Sequence, residues 1–204
     1  YMSGLYERSC AFWPDEAGQK AAAEVAYCEL LLSGVTALAD LSGPYDGWIE
    51  LMARSGLRGF VAPWFAGARW KLENDHDLQF TWAKDDGRAA FDRALALADE
   101  AGRHPSGRLS GVIFPAQIET CSPTLLKDAM AAALARKLPI TTHASQSVNE
   151  FLEIVKRTGK TPVQYAADLG ILHPSMTLAH CIFIDDHSWL HWRTHNDVAL
   201  LADT

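Results

Sequence analysis

Apolar positions along the chain change period again and again. A stretch at helical spacing is followed by a glycine and then by a short β-branched or apolar run. After Asp15, the residues Ala22, Val25, Ala26 and Leu32 share one helical side that stops at Gly34, and residues 35–39 follow as a strand. Trp48, Ile49 and Met52 mark a second helix that stops at Gly56, with a strand over 57–62 after it. Phe91, Leu95 and Ala98 mark a third, stopping at Gly102, and 109–114 reads as the next strand. Glycine just past a helix takes the left-handed conformation without a Cβ penalty. Ser122-Pro123 then offers a cap and a proline at the first helical position. Leu125, Leu126, Ala129, Met130, Ala133 and Leu134 form the stripe of that helix, and Arg136 and Lys137 suit its C-terminal end. The strand 138–142 follows. Ser147-x-x-Glu150 reads as a capping box that opens a helix with Phe151, Leu152 and Val155, ending at Gly159. Thr161-Pro162 starts another, ending at Gly170; 176–179 is the last clear strand, and 185–202 is expected to be helical.

Strand–helix units repeated without a hairpin signal predict an α/β fold, a parallel sheet covered by helices. The two architectures that fit are a doubly wound sheet and a (β/α)8 TIM-type barrel. No G-x-G-x-x-G or G-x-x-x-x-G-K-[ST] follows any strand, which weakens a nucleotide-binding reading. The pattern yields five strands, whereas a barrel needs eight and about 250 residues. A barrel reading therefore makes this chain part of one. Residues 63–86 break the rhythm as a long connection holding Trp64, Phe65, Trp70, Phe80 and Trp82. Three readings stand: a lid or substrate wall, a small packed excursion, or a contact between copies in a homo-oligomer.

Composition narrows the classes. The chain has 204 residues, 49% apolar and 21% charged, ordinary for a soluble globular protein of one large domain or two small ones. The longest apolar run, 129–135, is far below the roughly 18 residues of a membrane span, so no membrane partner is expected. Lys and Arg number 18 against 25 Asp and Glu, a net charge of −7, which argues against nucleic acid as a partner. Four cysteines (Cys10, Cys28, Cys121, Cys181) with no C-x-x-C pair argue against a disulfide framework and a cysteine zinc site. The opening Tyr1-Met2-Ser3-Gly4 lacks the pattern of a signal peptide, which makes a cytoplasmic location the expectation.

Two strands run into histidine, His143 after Thr142 and His180 after Ala179. Both belong to the carboxyl end of the sheet, where ligands bind in parallel α/β folds. Neighbouring strands lie about 4.8 Å apart, so two imidazoles at equivalent positions point to metal or catalytic use. For His76, His104, His173, His187, His191 and His195, in loops or helices, a surface role is the expectation.

Four segments then resemble one family. Residues 29–40 (ELLLSGVTALAD) resemble the E-L-L-x-S-G-x-T-T-x-x-D segment of the amidohydrolase superfamily. Thr120-Cys121-Ser122-Pro123-x-Leu125-Leu126 matches its T-C-S-P-x-L-L, residues 139–146 (PITTHASQ) resemble P-I-x-x-H-x-x-E, and 178–181 (LAHC) resemble L-A-H-C. Order and spacing fit the cytosine-deaminase and triazine-hydrolase (chlorohydrolase) branch across nearly the whole chain. The resemblance implies a (β/α)8 barrel with one divalent metal, zinc or iron, and a hydrolase acting on a non-peptide C–N bond of a small, cyclic or heteroaromatic substrate. It implies His143 as a metal ligand on the fifth strand. It implies His180, on the sixth, as the residue that orients the attacking water or binds metal. Gln117 and Glu119 fall where relatives place substrate contacts. The fourth-strand stretch 112–119 lacks the bridging lysine of binuclear members, which favours one metal. A zinc-type ion lowers the pKa of bound water to about 7.

Two departures stand out. The family's first-strand H-x-H and eighth-strand aspartate have no counterpart here, so residues 1–204 read as one partial barrel, strands two to six. At 146 the family's proton-shuttling glutamate is a glutamine, which hydrogen-bonds but exchanges no proton at neutral pH. Gln146 thus points to a leaving group that needs little protonation, such as halide, to a shuttle at Glu119, Asp185 or Asp186, or to a silent barrel used for binding. Asp40 reads as a structural cap, and Cys181 as buried filler.

Overall fold

Helix starts obey the capping side chains. In a computed structural model that describes residues 14–73 and 78–204, Asp15, Ser122, Ser147 and Thr161 each accept a backbone N–H three residues on. They open α1 (Glu16–Leu32), α4 (Pro123–Arg136), α5 (Val148–Thr158) and α6 (Pro162–Asp168). Cys10, His76 and the opening residues 1–4 lie outside the described residues. Gly56 and Gly159 end α2 (Trp48–Ser55) and α5 in the left-handed conformation, at φ 84° and 74°. Gly102 does not stop its helix: α3 (Arg88–Arg103) runs through it to a cap at His104.

The strands are β1 (Ala37–Asp40), β2 (Arg58–Val61), β3 (Trp64–Phe65), β4 (Ala68–Leu72), β5 (Leu78–Trp82), β6 (Leu109–Gly111), β7 (Phe114–Pro115), β8 (Ile140–Ala144) and β9 (Met176–His180). β1, β2 and β6 pair in parallel, as do β3 with β7 and β8 with β9. Parallel bridges Ile113–Ile140 and Gln117–His143 join β6–β7 to β8. β2 and β3 thus form one stave and β6 and β7 another. The described residues give five parallel staves in chain order, the arrangement of consecutive strands in a (β/α)8 barrel.

Period-2 alternation sorts the staves' side chains. Leu38, Val61 and Leu109 pack toward the helix layer with Trp48, Met52 and Leu57. Ala62, Val112 and Phe114 gather on the opposite, lumenal face with Leu41 and Trp64. The largest cluster joins Phe65, Ile113 and Ile140 to Phe91 of α3 and to Leu125, Leu126 and Ala129 of α4.

Two further expectations fail. Residues 63–86 contain an antiparallel hairpin, with β4 and β5 paired from Ala68–Trp82 to Leu72–Leu78. Its connecting sequence, Glu73-Asn74-Asp75-His76-Asp77, carries no glycine or proline to announce a turn. Over 185–202 only α7 (Asp197–Ala202) is helical. Buried carboxylates at Asp185 and Asp197 take the backbone N–H groups that a longer helix would have used.

Candidate active site

The carboxyl ends of β7, β8 and β9 bring His143, His180 and Gln117 together. His143 is half-buried on β8, and its Nδ1 lies 2.6 Å from the Ala116 carbonyl oxygen. A carbonyl only accepts, so Nδ1 carries the proton and Nε2 keeps its lone pair. Burial pulls the His143 pKa down, with the Ala116 bond opposing and His180 adding to the fall. The ring is therefore held neutral, the form that binds metal.

His180 pairs in register with Ala144, whose neighbours Ile140 and Thr142 face the helices. Plain alternation would send its side chain outward. The backbone instead turns left-handed there, at φ 76°, and the ring stacks on His143 with centroids 5.2 Å apart and planes 26° off parallel. Left-handed backbone at a non-glycine residue costs about 1–3 kcal/mol and gathers at functional sites. Cys181, also left-handed at φ 47°, is half-buried, and burial pushes its thiol up to about 11, away from a nucleophilic thiolate.

Gln117 reaches this face through a bulge. Ile113 to Gln117 spans four steps while the paired Ile140 to His143 spans three, so one extra residue is inserted. Side-by-side bridge partners share a face, which places Gln117 beside His143. Thr120 Oγ1 donates to Gln117 Oε1 at 2.8 Å and orients the amide. Trp64, in register with Phe114, completes the wall; Phe114 itself packs edge-on to His143 at 5.3 Å.

Gln146 is 7% exposed, and its Nε2 has no hydrogen-bond partner. Its backbone N–H donates to Glu150 Oε2 at 2.7 Å, and that of the left-handed Ser145 to Glu150 Oε1 at 2.6 Å. Ser147 caps α5, as the capping box predicts, and Glu150, which also acts on the Ser147 amide, reaches beyond the cap to these two amides. Burial lifts the Glu150 carboxyl to about 7 against the pull of the amides.

Glu119 lies behind the wall with no exposed surface. Trp70 Nε1 donates to its Oε1 at 3.2 Å, while Oε2 is unpartnered. Burial first, and the neighbouring Glu150 second, raise it well above the usual carboxylate range. Arg157 Nη1 donates to the Glu119 carbonyl at 2.6 Å, and its guanidinium lies 4.4 Å over the Phe80 ring and 5.4 Å over that of Trp82. The hairpin is thereby fastened over the loop after β7 and against α5.

The other shuttle candidates are otherwise engaged. Asp185 Oδ2 accepts from Asn196 N at 2.7 Å and Thr194 Oγ1 at 2.8 Å, and Asp197 accepts from Asp185 N and Thr161 Oγ1. The exposed Asp186 bonds His195. Asp40 is the structural hub expected of it, accepting from Tyr27, Trp48 and Ser42. His104 and His173 are turn residues: in each His-Pro-Ser, Nδ1 accepts the serine N–H at 3.1 Å just before a strand. A cavity of about 570 Å³ lies between the hairpin, Pro44 and α3; Trp64, Trp82 and Arg93 line it, and neither His143 nor His180 does.

Sequence reasoning named Trp64 only within the aromatic connection, as part of a candidate substrate wall, read Glu150 only as a capping-box residue, and missed the Ala116 carbonyl. Alternation from Phe60 through Ala62 is the signal that would have placed Trp64 on the lumenal face. The two imidazoles suit a divalent metal: the Ala116 carbonyl takes the Nδ1 proton of His143 and leaves Nε2 free to bind. No group of three or more His, Cys, Asp or Glu able to hold an ion occurs among the described residues.

Consecutive parallel staves with two histidines at their carboxyl ends define a segment of a (β/α)8 barrel. The Amidohydrolase family matches residues 14–204, and the chain belongs to it. The 5-methylthioadenosine/S-adenosylhomocysteine deaminase of Halobacterium salinarum is 30% identical over 199 residues, covering 94% of this chain and 41% of the relative. That of Symbiobacterium thermophilum is 29% identical over 199 residues, 94% of this chain and 40% of the relative. The chain thus spans about two fifths of the length of these relatives. Among solved structures, a zinc-bound adenosine deaminase from Xanthomonas campestris superposes with a TM-score of 0.68 at 17% identity, over 98% of this chain and 40% of that one. A guanine deaminase from C. acetobutylicum, with guanine in its active site, gives 0.71 at 13% over 93% and 42%. A zinc-bound atrazine chlorohydrolase from Arthrobacter aurescens gives 0.70 at 19% over 98% and 43%. These likenesses establish the fold as that of amidohydrolase barrels. No helix among the described residues is long and apolar enough to cross a membrane.

Proposed function

We propose that residues 1–204 form strands two to six of a metal-dependent hydrolase that cleaves a non-peptide C–N bond of a small heteroaromatic substrate, as a deaminase does. The observation that carries this reading is the neutral His143, locked through Nδ1 on the Ala116 carbonyl and stacked on His180 at the barrel mouth. His143 Nε2 would hold the metal, with His180 as a second ligand or as the group that orients the attacking water. A divalent ion there, zinc first and iron second, would bring the pKa of a coordinated water near neutrality. Trp64 and Phe114 offer faces for a planar ring, and Gln117 an amide for its polar edge, backed by Glu119. Free thiols at Cys28, Cys121 and Cys181 suit a reducing, cytoplasmic setting. Small molecules rather than nucleic acid are the partners, and a homo-oligomer is compatible with the same surfaces.

Gln146 favours a second reading, displacement of a leaving group that needs little protonation, such as halide. One experiment tests both. The full-length protein is expected to carry about one metal per chain, lost in His143→Ala, and to release ammonia or halide from a panel of amino- and halo-substituted heterocycles. Gln146→Glu is expected to raise ammonia release. No bound metal after purification with added zinc or iron would overturn both readings, and unchanged or lower deamination by Gln146→Glu would refute the shuttle argument.

A further inference from the structure

The ladder between β8 and β9 ends at the Ala144–His180 pair, yet the two strand ends stay bound to each other beyond it. Cys181 N donates to the Ala144 carbonyl at 3.1 Å, and Ile182 N and Phe183 N both donate to the Ser145 carbonyl, at 3.0 and 2.9 Å. Residues 181–183 therefore hang on Ala144 and on the turn at Ser145. That turn is left-handed, at φ 54°, in a residue with a side chain. Strain of this kind persists only where surrounding contacts over-determine it.

The contacts come from Glu150. Each carboxylate oxygen takes one amide, Ser145 N at 2.6 Å and Gln146 N at 2.7 Å. A capping-box glutamate bonds the N-cap amide; this one acts on the Ser147 amide and takes the two amides before it as well. Ser147 Oγ starts α5, and the bonds from the amides of 145 and 146 go beyond what that cap requires. We propose that Glu150 is a positioning residue of the site. It fixes the Ser145-Gln146 turn and, through the Ser145 carbonyl, the segment after His180, so that both imidazoles and Gln146 are presented together.

This rests on the reading of His143 and His180 as the metal-facing pair. The test uses full-length Glu150→Gln, which keeps one acceptor oxygen and sets an NH2 against the other amide. Ser147→Ala, which removes the α5 cap and leaves the clamp in place, is the control. In metal-free protein, amide exchange of Glu150→Gln is expected to quicken both at 145–146 and at 181–183. Zinc affinity, read by chelator competition, is expected to fall tenfold or more, while Ser147→Ala stays within about twofold of wild type. Should Glu150→Gln fail to fold, Glu150→Asp, with the charge on a shorter arm, is measured the same way. Faster exchange confined to 145–146, with zinc affinity unchanged, would reduce Glu150 to a local cap and overturn the proposal. If the wild type binds no zinc, the functional reading falls, while exchange at 181–183 still decides whether Glu150 couples the two strand ends.

Discussion

Glu119 and Glu150 are carboxyls buried next to each other, and both are pushed upward, Glu119 first by burial and then by the charge of Glu150. Between the unfolded carboxyl pKa of about 4.3 and the raised folded value, the native state binds a proton that the unfolded chain has released. Stability therefore falls as pH rises through this window. Glu119→Gln removes the titration and keeps an oxygen for the Trp70 indole N–H. Urea unfolding at pH 6 and pH 8.5 is expected to show the variant losing less stability than wild type, and standing above it by about 1–3 kcal/mol at pH 8.5. Parallel losses in the two proteins would place the cost elsewhere. At this scale the sequence was informative about identity and poor about aim. His143 and His180 were legible because each follows a short apolar or β-branched run. The left-handed turn that redirects His180, and the bulge that turns Gln117 beside His143, depend on pairing between distant residues and leave no local mark.

Elements were legible where a cap or a glycine marked their ends, and the hairpin was not, having neither. In retrospect its strands do alternate: Ala68, Trp70 and Leu72 against Arg69 and Lys71, then Leu78, Phe80 and Trp82 against Gln79 and Thr81. An aromatic-rich connection masked this period. Beside the Trp70–Glu119 bond and the backbone bonds to Thr120, one cation fastens the hairpin: Arg157 stacks over Phe80, donates to the Glu119 carbonyl and reaches Glu153 at 2.7 Å. Arg157→Met keeps an apolar stem but loses the stacking charge and both hydrogen bonds. Amides of β4 and β5 are expected to exchange about tenfold faster, equivalent to about 1–2 kcal/mol, while those of β1 and β2 hardly change. Uniform protection in both pairs would mean that the hairpin is secured by its aromatic packing alone.

Across the whole molecule, the order of the staves follows from the repeated strand–helix units, but the spacing between layers does not. Two glycines on adjacent staves set it. A Cβ at Gly59 would stand 2.5 Å from Met52 Cγ, the flexible arm of a side chain. A Cβ at Gly111 would stand 2.6 Å from the carbonyl oxygen and 2.7 Å from the Cα of Ala98, backbone of α3 that cannot swing aside. Gly111→Ala is therefore expected to cost about 3 kcal/mol and Gly59→Ala about 1 kcal/mol in chemical denaturation. The difference reaches the site, because the stave that holds Gly111 continues through Phe114 to Ala116, whose carbonyl locks His143. Moving that stave away from α3 shifts the acceptor of Nδ1 and loosens the ring, whereas Met52 absorbs the strain at Gly59 inside the helix layer. Zinc affinity of the full-length protein should accordingly drop in Gly111→Ala and hold in Gly59→Ala. Equal affinities, with the stability difference intact, would mean that His143 is held independently of the layer beneath it.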